Sequence, residues 1–278
     1  MVDLKIPSLF GVQGQVALIT GGGSGIGLMI ATALVQNGAK VYIASRKEKQ
    51  LKEAADVLNA KGPGSCHYIV ANLGSRAACE DLATRFAAQE SKLHILVNNS
   101  GSTWGGKWED FPEKEGWDRV MNLNVKSIFY LTAALTPLLV KDANNRTPSR
   151  VINISSVASW ETRAEGSSLA GAGDGLYSYN VSKAAVNHLT QIQAVTLGPK
   201  HVNVNAILPG VFPSKMTAFG IKQAGEQMAN AQPSGRYGMP EDMGGTALFL
   251  CSPASAHITG ALIPIDGGAT IAGAGTKL

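Results

Sequence analysis

The chain has 278 residues, of which 45% are hydrophobic and 16% are charged. This balance is too apolar for a disordered or tail-rich protein, and the length gives a large α/β domain ample material for a core. The net charge is +4, but the basic residues are scattered, which argues against nucleic-acid binding and favours a small anionic ligand.

Short β-branched runs alternate with helix-length segments along the chain. The predicted strands are Val16–Thr20, Lys40–Ala44, Ser65–Ala71, Ile95–Asn98, Arg150–Ser155, Val202–Leu208 and Leu262–Ile265. The predicted helices include Gly25–Asn37, Lys47–Ala60, Arg76–Ala88, Trp117–Val140 and Tyr179–Leu197. The strand runs are apolar rather than alternating, as expected for strands buried on both faces. This series predicts an α/β fold: a Rossmann-type doubly wound parallel sheet of about seven strands with helices on both faces, in a single domain over residues 1–278.

Three irregular segments interrupt this alternation: Asn99–Phe111, Trp160–Leu176 and Pro209–Arg236. Each follows a predicted strand and is therefore expected at the carboxyl edge of the sheet. Open α/β folds bind their ligands at this edge. The sequence thus predicts the functional site there.

A glycine-rich turn joins the first predicted strand to the first long helix. Its residues are Gly21, Gly22, Gly23, Ser24, Gly25, Ile26 and Gly27. Glycines let the backbone turn sharply and approach a pyrophosphate, while the helix start offers free N–H groups and a positive dipole end. In this strand–turn–helix context the segment predicts a dinucleotide-binding loop.

The end of the second predicted strand bears on the identity of the nucleotide. NAD-binding sites usually place a carboxylate there to hold the ribose hydroxyls, whereas this chain has Ser45, Arg46 and Lys47. A guanidinium can bind a 2′-phosphate in a forked geometry, and a carboxylate would repel it. These residues favour NADPH over NADH as the cofactor. The alternative is that both cations are ordinary solvated side chains at a helix start.

Tyr179 and Lys183 are four residues apart, so both side chains emerge from one helical face. A tyrosine beside an ammonium group is expected to ionise more readily than usual, because the positive charge lowers its pKa. It can then exchange a proton with a carbonyl or alcohol oxygen. The spacing alone occurs often by chance, and its weight depends on the motifs around it.

Seven such motifs occur in order along the chain. They are Thr20–Gly27, Asn98-Asn99-Ser100-Gly101, Asn122–Phe129, Ser155-Ser156-Val157, Tyr179 with Lys183, Pro209-Gly210 and Ile265-Asp266-Gly267-Gly268. Together they resemble the short-chain dehydrogenase/reductase family over about residues 10–270. The chain is most similar to the branch that contains 3-oxoacyl carrier-protein reductases and related ketoreductases.

The resemblance implies roles for individual residues. Tyr179 corresponds to the general acid/base and Lys183 to the residue that lowers its pKa and binds the nicotinamide ribose. Ser156, or less favourably Ser155, corresponds to the serine that binds the substrate oxygen. Asn124 corresponds to the asparagine that anchors a water relay to Lys183, with Asn122 as the alternative. The remaining cofactor-binding residues implied are Asn72 and Leu73 near the adenine, Asn98, Asn99 and Gly101 on the adenosine side, and Pro209, Gly210, Val211 and Ser214 beside the nicotinamide.

The chain departs from the family pattern at three places. Asn72 stands where an aspartate is frequent, and Ser100 replaces a frequent alanine. The stretch between Ser156 and Tyr179 is longer than in typical members and rich in glycine. It forms either a specialised lip over the substrate pocket or a neutral surface insertion. Three tryptophans in loops at this edge are candidates to line the pocket: Trp104, Trp108 and Trp160.

Cysteines and histidines indicate neither a disulfide framework nor a metal site. The three cysteines lack paired spacing, and the five histidines show no ligand spacing, so we expect no metal. No signal-peptide pattern is visible at the N-terminus, and no apolar run reaches the roughly 18 residues of a membrane span. We therefore expect a cytoplasmic protein that binds neither a membrane nor nucleic acid.

The predicted function is NADPH-dependent reduction of a ketone, such as a β-ketoacyl, polyketide-like or other hydrophobic substrate. One alternative is an alcohol dehydrogenase working oxidatively, and another is a non-catalytic NADP-binding protein on the same fold. The resemblance also implies a homo-oligomer, a tetramer or a dimer, formed through Trp117–Val140 and Tyr179–Leu197. Residues 213–231 lie where the family places a mobile substrate loop.

Overall fold

The computed structural model describes residues 3–167, 169–171 and 173–272, without the side chains of residues 219 and 224. Its seven strands form one parallel sheet in the order β3-β2-β1-β4-β5-β6-β7. The strands are β1 (Val16–Thr20), β2 (Lys40–Ser45), β3 (Ser65–Val70), β4 (Ile95–Asn98), β5 (Ser149–Ile154), β6 (Val202–Pro209) and β7 (Leu262–Ile265). The predicted Rossmann-type parallel sheet is confirmed.

Ten α-helical segments accompany the sheet in the described part of the chain. They are α1 (Ile6–Phe10), α2 (Gly25–Gln36), α3 (Glu48–Asn59), α4 (Arg76–Ala87), α5 (Arg119–Met121), α6 (Ser127–Val140), α7 (Tyr177–Leu197), α8 (Ala218–Asn230), α9 (Pro240–Cys251) and α10 (Ala269–Ala272). Two π-helical turns, Glu113–Asp118 and Asn122–Lys126, flank α5, so the chain is helical from Glu113 to Val140. A 3₁₀ turn, Val157–Ser159, follows β5.

The core forms two layers, one on each face of the sheet. Alternate residues of β1 point to opposite layers: Ala17 and Ile19 to one, Leu18 to the other. The first layer is completed by α2, α3 and α9, and the second by α4, α6 and α7. Because the central strands, such as β1 and β4, are apolar on both faces, their burial follows from the sequence pattern, whereas the edge strands β3 and β7 are only partly buried. This leaves the carboxyl ends of the strands as the edge where loops converge.

Several predicted boundaries were wrong by one or more residues, and α9 was missed. The helix carrying Tyr179 begins at Tyr177, and the helix predicted from Trp117 begins earlier, in a π-helical turn. The segment Pro209–Arg236, predicted to be irregular, contains α8, and α9, which carries Gly244 and Gly245, was not among the helices named from the sequence. A Cβ at Gly244 would lie 3.1 Å from the Cβ of Ala33, so this glycine allows α9 to approach α2 closely.

The helical stretch Glu113–Val140 is long and apolar enough to cross a membrane by length and composition, since an 18-residue window within it has a mean hydropathy of 1.4. The sequence analysis expected no such segment. In the structure, Leu131, Leu135 and Leu139 on this stretch are fully buried in the second core layer. The apolar composition therefore serves to cover the sheet.

The single domain predicted over residues 1–278 stays a prediction. It is supported by the membership of all seven strands in one sheet. Its two ends, residues 1–2 and 273–278, lie outside the described residues, as do residues 168 and 172 of the predicted insertion.

Candidate active site

A cleft of about 460 Å³ opens at the carboxyl edge of the sheet, between the glycine turn after β1 and the segment after β6. Most of the predicted site residues line it. They are Gly21, Ser24, Gly25, Ile26, Ser45, Arg46, Lys47, Asn72, Leu73, Asn99, Gly101, Ser156, Tyr179, Lys183, Pro209, Gly210 and Ser214. The structure thus gathers residues from seven separate segments of the chain around one cavity.

The glycine turn has the geometry that its sequence predicts. Gly21 and Gly25 have φ angles of +68° and +54°, which only glycine adopts readily. The side chain of Ser24, the N-cap residue of α2, makes no capping hydrogen bond. The first N–H groups of a helix have no partner within it, so the start of α2 can donate to an anionic group in the cleft.

Hydrogen bonds from the residues that follow β4 fix the position of the glycine turn. Thr20 Oγ1 accepts from the backbone N–H groups of Asn99 and Ser100, each at 2.9 Å, and Asn99 Nδ2 donates to Thr20 O at 2.9 Å. A Cβ at Gly27 would lie 2.5 Å from both Asn99 Nδ2 and Gly21 O. Gly27 is therefore required for close packing of the turn, and it does not line the cleft.

The far end of the cleft, past β2 and β3, carries two exposed cations, Arg46 and Lys47. Within the described residues neither takes part in an ion pair. Ser45 Oγ is buried beside them without a hydrogen-bond partner. Asn72 is exposed and Leu73 is buried at the same end. This arrangement leaves one hydroxyl and two cationic groups available to an anionic ligand.

Tyr179 and Lys183 lie together at the other end of the cleft, both almost fully buried. Lys183 Nζ donates to the backbone O of Ile154 at 2.8 Å and lies 5.6 Å from the centre of the Tyr179 ring. Ser155 Oγ donates to the backbone O of Lys183 at 3.0 Å. Two hydrogen bonds thus link the end of β5 to the first turns of α7.

Of the two candidate serines, Ser156 is the one placed to act with Tyr179. The Ser155 hydroxyl is occupied by its bond to the Lys183 carbonyl, whereas Ser156 lines the cleft together with Tyr179 and lowers the pKa of that tyrosine. Ser156 Oγ also accepts from Ala158 N at 3.2 Å, as the cap of the 3₁₀ turn. Asn187, one turn beyond Lys183, donates to Ser159 Oγ at 2.8 Å and fastens this turn to α7.

Burial is the largest cause of the pKa shifts of both Tyr179 and Lys183. It raises the pKa of Tyr179, which a hydrogen bond from Ser156 partly offsets and the negative charge of Glu161 reinforces. The sequence analysis expected the opposite direction. The reason for the difference is that burial of the Tyr179 hydroxyl has the largest effect on its pKa, while the Lys183 ammonium donates to the Ile154 carbonyl. Burial lowers the pKa of Lys183 to about 8.

Asn124 does not line the cleft, but its side chain lies directly behind it. It is buried in the second π-helical turn, where its Oδ1 accepts from Ser102 N at 2.8 Å and its Nδ2 donates to Ser182 Oγ at 2.9 Å. A Cβ at Gly101 would lie 3.3 Å from Asn124 Oδ1 and 3.7 Å from Lys183 Nζ. Both side chains therefore converge on Gly101, a geometry that favours Asn124 over Asn122.

The segment after β6 closes the cleft opposite the glycine turn. A Cβ at Gly25 would lie 3.3 Å from Ser214 Cβ, so the two segments face each other closely. Thr217 Oγ1 orders this segment by donating to Phe212 O at 2.7 Å and accepting from Ser214 N at 2.9 Å. Val211 is turned away, and its carbonyl accepts from Gly238 N at 2.9 Å. Gly23 likewise does not line the cleft and packs near Leu51 of α3.

The sequence analysis missed several residues that line the cleft. They are Gln50, Ala71, Ser100, Leu123, Ile154, Leu169, Phe212, Lys215, Met216 and Thr217. Most are apolar or lie in the irregular segments, where no period or motif marks them. Asn98 was grouped with the adenosine side, but its side chain points into the core, where Nδ2 donates to Asn153 Oδ1 at 2.9 Å. Trp108 and Trp160 are exposed and, with Trp104, do not line the cleft.

The titration of Lys183 predicts a pH dependence. Since burial places its pKa at about 8, the ammonium is present below that pH and is lost above it. Tyr179, with its raised pKa, keeps its proton over the same range. We expect kcat/KM for carbonyl reduction to fall as pH rises through about 8, measured between about pH 6 and about pH 10 with circular dichroism as the folding control. A profile that is level to the upper end of this range would contradict the assignment.

Comparison with known proteins agrees with this geometry. A family model described as enoyl-(acyl carrier protein) reductase matches residues 21–270. The rhamnolipids biosynthesis 3-oxoacyl-[acyl-carrier-protein] reductase of Pseudomonas aeruginosa is 42% identical over 93% of this chain and 97% of that protein. The 2-dehydro-3-deoxy-D-gluconate 5-dehydrogenase of Dickeya dadantii is 32% identical over 95% of this chain and 98% of that protein.

A solved structure extends the likeness to three dimensions. The Pseudomonas aeruginosa RhlG/NADP active-site complex matches with a TM-score of 0.87 and 40% identity, covering 95% of this chain and 99% of that one. The matched region includes the glycine turn, the end of β2 and the Tyr179–Lys183 pair. The chain therefore belongs to the short-chain dehydrogenase/reductase family of oxidoreductases.

Proposed function

We propose that this protein is an NADPH-dependent carbonyl reductase acting on a β-ketoacyl compound or another ketone with an apolar chain. The observation that carries the proposal is the placement of Ser156, Tyr179 and Lys183 in the same cleft as a dinucleotide-type glycine turn. The similarity to a 3-oxoacyl-[acyl-carrier-protein] reductase supports the β-ketoacyl class.

The residues at the far end of the cleft fit NADP(H). The unpartnered, buried Ser45 Oγ can donate to a 2′-phosphate, and Arg46 and Lys47 can neutralise it. The pyrophosphate would lie at the start of α2, next to Ser24 and Ile26. The solved relative that binds NADP supports the same cofactor for this chain.

The chain's own residues account for the remaining chemistry. The nicotinamide, when bound, supplies the hydride that reaches the carbonyl carbon. Ser156 and Tyr179 bind the carbonyl oxygen from two directions and stabilise the charge that develops on it. Tyr179 gives its hydroxyl proton to that oxygen. Lys183 provides positive charge beside the tyrosinate, and Asn124, bonded to Ser102 and Ser182, fixes the backbone behind Lys183.

A panel assay that follows NADPH absorbance tests this proposal. The panel holds 3-oxoacyl thioesters of increasing chain length, a keto-gluconate and simple ketones, with the corresponding alcohols and NADP⁺ run in reverse. We expect the highest kcat/KM for a 3-oxoacyl thioester in the reductive direction. Faster alcohol oxidation would support the alternative of an alcohol dehydrogenase, and absence of turnover with retained NADPH binding would support a non-catalytic protein.

The exposed faces of two helices support a homo-oligomer. Phe129 on α6 is 50% exposed, and Val181, Ile192 and Val195 on α7 are 48%, 49% and 79% exposed. Apolar side chains grouped on outer helix faces are typical of protein–protein contacts. We propose that these faces associate into a dimer or a tetramer, in the cytoplasm, and light scattering at micromolar concentration tests the oligomeric state.

A further inference from the structure

The long stretch between Ser156 and Tyr179 is attached to a second loop, which follows β4. Gly175 N donates to Gly106 O at 2.8 Å, and Gly106 N donates to Gly175 O at 3.2 Å. Within the stretch, Leu176 N donates to Ala164 O at 3.0 Å. We name this two-loop unit, residues 104–111 with the described residues 161–167, 169–171 and 173–177, the clasp. Backbone pairing between loops that are distant in sequence makes the clasp one structural unit.

Aromatic side chains hold the two loops of the clasp together. The Tyr177 ring makes edge-to-face contacts with Trp108 and Phe111, with centroid separations of 5.1 Å and 5.4 Å. Tyr177 Oη donates to Glu165 Oε1 at 2.5 Å. Such aromatic pairs add stability beyond their buried area, so the clasp has its own support independent of the sheet.

The clasp places Leu169 next to the reactive tyrosine. Leu169 and Ala170 pack on Ala158, Leu176 and Tyr179, and Leu169 lines the cleft. The apolar side chains of Phe212 and Met216 line the same cleft from the segment after β6. The cleft beside Tyr179 therefore has apolar walls from both segments.

We propose that the clasp is a specificity element: it holds Leu169 beside the reacting carbonyl, so that the pocket accepts ketones with an apolar chain and rejects polyhydroxylated keto acids. This inference rests on the proposed carbonyl reductase function. It takes the functional one of the two views of the stretch before Tyr179. A hydroxyl group placed against Leu169 would lose water without gaining a hydrogen bond, so a polyhydroxylated chain is disfavoured there.

Exchanging Leu169 for a polar side chain of similar size tests the proposal directly. The substrates are an eight-carbon 3-oxoacyl N-acetylcysteamine thioester and a keto-gluconate, each assayed with NADPH. We expect Leu169→Asn to lower the ratio of the two kcat/KM values roughly 10- to 100-fold, because an apolar contact becomes a polar one. The Kd for NADPH is expected to stay unchanged, since Leu169 lies at the tyrosine end of the cleft.

A second variant tests whether the clasp positions Leu169. Trp108 is exposed, so Trp108→Ala is expected to leave the fold intact while loosening Tyr177 and the paired loop. The expected result is a KM for the thioester raised severalfold, with kcat little changed.

Leu248→Asn is the matched control for Leu169→Asn, because Leu248 is likewise partly buried but lies on α9 against the first core layer.

Three outcomes distinguish a failure of the clasp proposal from a failure of the proposed reductase function. A substrate ratio that Leu169→Asn leaves unchanged, or shifts no more than Leu248→Asn does, would overturn the role of the clasp. An unmodified protein that prefers the keto-gluconate would overturn it too, while leaving the reductase function in place. An unmodified protein that binds NADPH but reduces no ketone would instead refute the proposed function itself.

Discussion

Replacing Tyr179 by phenylalanine is expected to lower kcat for ketone reduction by roughly two to four orders of magnitude. The variant keeps the ring, which packs on Ala158 and Leu176, and loses only the hydroxyl that is proposed to donate the proton. Burial raises the pKa of that hydroxyl, so it is protonated at neutral pH and ready to act as an acid. Single-turnover reduction of a 3-oxoacyl thioester with NADPH measures the effect on the chemical step.

Tyr68→Phe is the matched control for this experiment. Tyr68 lies on β3, is half-buried, and does not line the cleft, so its loss of a hydroxyl is expected to leave kcat unchanged. The Kd for NADPH is expected to be similar in all three proteins. Full turnover in Tyr179→Phe would show that the proton comes from another group, and the mechanism proposed for this cleft would be wrong.

The fold was predictable because its signals are local and repeated. Apolar runs such as Val16–Thr20 and Val202–Pro209 can be buried only between two helical layers, and the helices between them dictate parallel strands. Helix α9 was not named from the sequence, and the close contact of its Gly244 with Ala33 is visible only in three dimensions. Boundaries such as the start of α7 at Tyr177 depend on tertiary contacts with the clasp.

The site was predictable where chemistry constrains residue type. The glycine turn, the two cations after Ser45 and the spacing of Tyr179 and Lys183 each follow from what a nucleotide or a proton transfer requires. Leu169 could not be found in this way, because an apolar residue in an irregular segment has no spacing or partner that marks it. The direction of the Tyr179 pKa shift was also missed, since burial and the Lys183–Ile154 hydrogen bond are properties of the packed structure.

Substitution at the end of β2 is expected to reverse the cofactor preference. In Ser45→Asp the new carboxylate repels a 2′-phosphate and can accept from a 2′-hydroxyl, as the acidic residue of NAD-binding sites does. We expect NADPH to bind more than about 100-fold more weakly, while NADH binding improves. Arg46→Ala removes a charge-assisted contact alone, and it is expected to weaken NADPH binding roughly 10- to 100-fold with little change for NADH.

Fluorescence titration of both nucleotides gives the four Kd values that this prediction needs. Lys49→Ala is the matched control, because Lys49 is an exposed cation in the first turn of α3 that does not line the cleft. It separates the local effect of Arg46 from a general loss of positive charge, which weakens the binding of any anion slightly. If Arg46→Ala and Lys49→Ala weakened NADPH binding equally, Arg46 would be a solvated helix-start residue. Ser45, whose buried hydroxyl lacks a hydrogen-bond partner, would then be the residue that recognises the ribose of the cofactor.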